Sequence, residues 1–126
     1  MATVSIPQFD GPMALLNTTI ATNDGVFQVE TISLDRAKRL MSQHINVYGV
    51  GVDSAIGHES TAQVMTELLG FDIPVNRQQF QQQPGQLALV FKLKGRPPEG
   101  KILSSNEIEA IGYEFKLMTL GEVVAV

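Results

Sequence analysis

The sequence predicts a small α+β domain, one mixed β-sheet with helices packed on it. Three observations carry that prediction. The chain has 126 residues, one domain's worth, and its 44% hydrophobic and 17% charged residues are the composition of a folded globular protein. Several apolar runs rich in Val, Leu and Phe are bounded by Asn, Gly and Pro, which marks strands and turns. Between those runs lie segments with helical spacing that open on serine caps.

Taken in order, residues 1–12, with Pro7, Asp10 and Pro12, read as a loose lead-in, leaving 13–126 as the domain. Residues 13–22 read as a strand, Asn23, Asp24 and Gly25 as a hairpin turn, and residues 26–32 as the returning strand. Ser33 is placed to cap a helix reaching about Gln43, whose Leu34, Ala37, Leu40 and Met41 form one apolar stripe. Residues 46–52, broken by Gly49 and Gly51, predict an extended segment or loop. A short helix follows, with Ser60 and Gln63 as a capping box and Gly70 as the left-handed residue at its end. Residues 75–80 and 87–93 read as two strands joined through a glutamine-rich stretch and the turn at Pro84 and Gly85. Residues 94–101, holding Gly95, Pro97, Pro98 and Gly100, predict a shaped loop. Ser104 and Glu107 form a second capping box, opening a helix that ends near Gly112, and residues 113–120 read as the last strand.

Composition also excludes much chemistry. Without cysteine there is no disulfide framework, thiol nucleophile or thiolate zinc site, and only His44 and His58 are available as imidazole ligands, so neither metal nor cofactor is expected. No run approaches the length of a membrane span, and the N-terminus lacks the order of a signal peptide, which points to the cytoplasm. The net charge of −4 is unevenly spread: residues 73–105 hold Arg77, Lys92, Lys94, Arg96 and Lys101 against Glu99 alone. That pattern suits a local anion site on an acidic body and not a long nucleic acid, although strand and loop surfaces carry lysines in any case.

Two places can carry chemistry. His58 precedes a helix N-terminus, where free backbone N–H groups and the helix dipole favour an anion. A histidine there serves either as an acid–base group or as a loop side chain bonded to backbone. The stretch from Arg96 to Lys101, together with Asn76 and Arg77, offers guanidinium forks for phosphate oxygens, or else a polar turn with a solvated ion pair. No phosphate-binding glycine loop, metal motif or nucleophile elbow is present. One histidine, two arginines and one glutamate fit metal-free phosphodiester cleavage, in which the RNA 2′-hydroxyl attacks and histidine protonates the departing 5′-oxygen.

The run AIGHESTA (55–62), the pair Asn76 and Arg77, the segment RPPEGKIL (96–103) and the run EIEAIGYEF (107–115) resemble the viral ring-nuclease family, first known as a domain of unknown function in archaeal viruses and later as a type III anti-CRISPR. The resemblance spans residues 13 to about 120. It implies a homodimer that binds cyclic tetra-adenylate, the second messenger of type III CRISPR complexes, and cuts it without metal to linear di-adenylate with a 2′,3′-cyclic phosphate, in the host cytoplasm if the protein is viral. By the same resemblance His58 is the general acid, Glu99 its acidic support, Arg77 and Arg96 the phosphate contacts, and Ser60 and Asn17 further ligand contacts. Sequestration of an intact cyclic nucleotide, or docking of a charged loop on a host protein, are the rival functions. Two segments depart from the family pattern: residues 46–53 are longer, and residues 1–12 have no counterpart, so either is a candidate to cover the pocket or alter ring size. The C-terminal strand and the 87–93 hairpin are candidate dimer interface or core.

Overall fold

The computed structural model describes residues 2–95 and 103–125. Its six strands are β1 (Ala2–Ser5), β2 (Met13–Leu16), β3 (Val26–Ile32), β4 (Val52–Ser54), β5 (Leu87–Leu93) and β6 (Tyr113–Ala125). The helices are α1 (Leu34–Ser42), α2 (Glu59–Leu69) and α3 (Ser105–Ile111), with a π-helical turn at Gln43–Val47 after α1. They form a single α+β domain with one mixed sheet.

Beside β2 run β4 and β5, both parallel to it, while β6 pairs antiparallel with β5 on one side and β3 on the other. The hairpin expected between residues 13–22 and 26–32 is therefore absent. Met13, Ala14, Leu15 and Leu16 are all buried, so β2 is covered on both faces, as central parallel strands are, and the polar residues after Leu16 leave the sheet. β3 exposes most of its residues and lies at the edge beside β6. The stretch expected as a loose lead-in contains β1, which pairs antiparallel with residues 122–125 of β6; the last strand is longer than its predicted 113–120.

Met13, Leu15, Leu89, Phe91, Phe115 and Leu117 present one sheet face to Ala37 and Met41 of α1, to Ala62, Val64, Met65, Leu68 and Leu69 of α2 and to Ile108 of α3. Ser33 caps α1, its Oγ accepting the Arg36 N–H at 3.1 Å. Ser104 and Glu107 form the expected capping box, and Gly70 ends α2 in the left-handed region at φ 78°. On the other face Ala14, Leu16, Ala88, Val90 and Met118 are covered by irregular chain, with Phe27, Ala55 and Phe80 packed against them. That cover is held by amides: buried Gln82 donates from Nε2 to the Gln86 and Met118 carbonyls at 2.8 and 3.0 Å, and its backbone N–H reaches Thr22 Oγ1 at 2.8 Å.

Residues 75–80 are not a strand, and the predicted 75–80/87–93 hairpin does not form. The segment runs along the end of β4, but the Ser54 carbonyl there accepts from the side-chain amides of Asn76 (2.9 Å) and Gln78 (2.7 Å) in place of a backbone ladder. β5 is an interior strand between β2 and β6, and its Ala88, Leu89, Val90 and Phe91, at most 1% exposed, serve as core.

Candidate functional site

Because β2, β4 and β5 are parallel, their carboxyl ends open together, the place where α/β sheets receive ligands. Asn17 follows β2, and residues 55–58 lead from β4 into α2. With Thr61 from the first turn of α2 and Phe91, Lys92 and Leu93 from the end of β5, Asn17 lines a cleft of about 200 Å³.

His58 is the N-cap of α2, in extended conformation (φ −125°, ψ 129°), and its carbonyl accepts the Ala62 N–H at 3.1 Å. The helix therefore begins earlier than predicted: Ser60 lies inside its first turn, and the expected capping box of Ser60 and Gln63 is not made. The start is fixed from below, since Ile56 is fully buried and its carbonyl accepts the Asn76 N–H at 2.8 Å. The side chain of the N-cap His58 makes no capping bond, in contrast to Ser33 of α1 and Ser104 of α3, so among the described residues the leading N–H groups of α2 stay available to an anion. Glu59, the acidic residue of that turn, lines a depression with Gln63, Thr66 and Asp72 on the flank away from Thr61.

Arg77 lies against the glycine before His58: a β-carbon on residue 57 would stand 3.3 Å from Arg77 Nε. Among the described residues this exposed guanidinium has no ion pair. Its strap is fastened by Ser54, whose Oγ donates to the Pro74 carbonyl at 2.7 Å and accepts the Ile56 N–H at 3.3 Å. The structure thus brings together two predicted site segments, Asn76–Arg77 and the run from Ala55 to Ser60, and sets Asn17 beside Thr61 in the cleft. Arg96 and Glu99, with most of the predicted 94–101 loop, lie outside the described residues.

Thr61 and Lys92 were not singled out from sequence, although Thr61 stands within the AIGHESTA run and Lys92 within the basic segment. The fastening role of Ser54 carries no sequence signal at all. Among the described residues no three His, Asp or Glu side chains gather into a metal site, and no helix is long and apolar enough to cross a membrane.

Fold and cleft define a class: a small mixed-sheet domain with an anion-ready helix N-terminus at the carboxyl ends of its parallel strands. The chain belongs to the STIV B116-like family, whose model matches residues 13–115. It is 36% identical over 107 residues to the uncharacterized protein YddF of Bacillus subtilis (strain 168), covering 85% of this chain and 95% of that one. It is 35% identical over 104 residues to the uncharacterized protein ORF117 of Acidianus two-tailed virus, covering 79% and 86%. Among solved structures, B116 of Sulfolobus turreted icosahedral virus superposes with a TM-score of 0.75 at 23% identity, over 86% of this chain and 99% of that one, a likeness of fold.

Proposed function

We propose that this protein is a homodimeric, metal-independent ring nuclease that cleaves cyclic oligoadenylate, above all cyclic tetra-adenylate, to linear di-adenylate with a 2′,3′-cyclic phosphate. Its biological effect is to silence type III CRISPR signalling in the cytoplasm. The observation that carries this reading is His58 at the uncapped N-terminus of α2, with Arg77 against the preceding glycine.

A phosphate seated on the free N–H groups of α2 has its negative charge met by the helix end and by Arg77, with Arg96 as the second arginine. The ribose 2′-hydroxyl attacks the adjacent phosphorus, the new O2′–P bond forms as the P–O5′ bond breaks, and the hydroxyl proton leaves to water. His58 gives its proton to the departing 5′-oxygen, the step at which an unassisted alkoxide is the worst leaving group. Glu99 supports the imidazolium, while Ser60 and Asn17 hold the ligand beside it. Each chain brings one His58, so cutting a four-membered ring at opposite phosphates calls for two chains about a two-fold axis.

The test is incubation with cyclic tri-, tetra- and hexa-adenylate in EDTA, alongside an all-2′-deoxy tetramer. Linear di-adenylate with a cyclic phosphate from the ribo-tetramer alone is the expected product. Intact release of every ring makes the protein a sequestering module, and cleavage of the deoxy ring contradicts the 2′-hydroxyl mechanism.

A further inference from the structure

Among the described residues, none of 1–12 or 46–53, the two departures from the family pattern, lines the cleft. They meet at the other end of the parallel strands, around a cavity of about 450 Å³. Gln8, Phe9 and Asp10 line it from the first segment, Tyr48 and Val50 from the second, and His44 from the π-helical turn between α1 and β4. Its size falls within the range of small-molecule sites.

The wall carrying His44 is built with care for its backbone. The His44 carbonyl accepts the N–H groups of Val50 and Gly51 at 3.0 and 2.9 Å, and that fold-back needs Gly49 and Gly51 at φ 68° and 72°, a region costly for residues with a β-carbon. His44 Nδ1 lies 2.8 Å from the Leu40 carbonyl, which only accepts, so Nδ1 donates there and Nε2 is the ring nitrogen left for a ligand. Tyr48 stands edge-on to that imidazole at 5.4 Å and is 60% exposed. Gln8 Nε2 donates to Asp10 Oδ1 at 2.8 Å, which holds the carboxylate and leaves Oδ2 open.

Among the described residues the lining therefore combines two aromatic rings, Phe9 and Tyr48, with the Asp10 carboxylate and the His44 imidazole, and contains no Lys or Arg. A phosphate finds no counter-charge among these residues and meets a carboxylate. A flat ring with N–H donors finds aromatic surface to stack on and acceptors at its edge. We propose that this cavity is a second ligand site, for a nucleobase-sized planar heterocycle that bears N–H donors and presents no phosphate to it. The proposal does not depend on ring cleavage at His58.

The experiment is titration of the labelled protein with guanosine and with adenosine, reading the His44 ring and Tyr48 resonances by NMR, with ribose 5-phosphate and choline as comparison probes. At least one nucleoside should shift both resonances saturably, and ribose 5-phosphate should not. Tyr48→Ala and Asp10→Asn, both exposed positions that the fold does not lean on, should each weaken that nucleoside's apparent affinity about tenfold. Shifts with choline and with neither nucleoside would make the site one for an organic cation and overturn the assignment. So would silence of both resonances toward both nucleosides at about 5 mM, or affinity unchanged in both variants.

Discussion

Ser54→Ala probes the joint that ties Arg77 to the segment leading to His58. Ser54 is 4% exposed, and its hydroxyl links the Pro74 carbonyl at 2.7 Å to the Ile56 N–H at 3.3 Å. Removing it deletes one partly buried hydrogen bond, about 1 kcal/mol net, and leaves a buried N–H without a partner at about 1–3 kcal/mol, a loss of roughly 2–4 kcal/mol. In a domain of this size each kcal/mol moves Tm by about 4 °C, so calorimetry should find Tm lowered by about 8–16 °C. Urea unfolding should show a lower midpoint with the same slope. Gln78→Ala is the control. It removes the 2.7 and 3.0 Å bonds of an exposed side chain, for which water substitutes, and should cost about 0.5–1 kcal/mol. A Ser54→Ala protein melting within about 2 °C of wild type would refute the idea that this hydroxyl fastens the strap.

Arg77→Ala should weaken binding of cyclic tetra-adenylate about 10–150-fold, the equivalent of ~1.5–3 kcal/mol for one charge-assisted phosphate contact, as read by calorimetric titration, with Arg77→Lys restoring part of it. Gly70→Ala should lower stability by about 1–2 kcal/mol in urea, because its φ of 78° is strained for alanine although no atom crowds the position; an unchanged midpoint would mean that the end of α2 rebuilds without it.

Local signals were legible and partners were not. The caps at Ser33 and Ser104 and the stop at Gly70 act within one turn of chain, so they could be read from neighbouring residues. Strands β3, β5 and β6 were legible as strands, yet the pairing of β3 with β6 and of β2 with β4 and β5 depends on residues far along the chain. Residues 75–80 looked like a strand because Val75 and Phe80 favour one, but the amides of Asn76 and Gln78 took over the Ser54 carbonyl that a ladder would have used. Nothing in residues 1–12 announces β1, whose partner is the extension of β6 at the other end of the sequence. At the site, the residue types of Asn17, His58 and Arg77 were readable. The contact of Arg77 with the glycine before His58 was not, because it depends on a buried serine, nor was the place of Asn17 beside Thr61, which follows from the parallel strands.

His58→Ala, with affinity for cyclic tetra-adenylate and single-turnover cleavage measured on the same preparation, tests the central claim most directly. The imidazole is the proposed proton donor, and the α2 N–H groups and the arginines are the proposed hold on the phosphate, so binding should stay within a few-fold of wild type while cleavage falls about 10²–10⁴-fold. Cleavage within a few-fold of wild type would contradict the assignment of His58 as the acid.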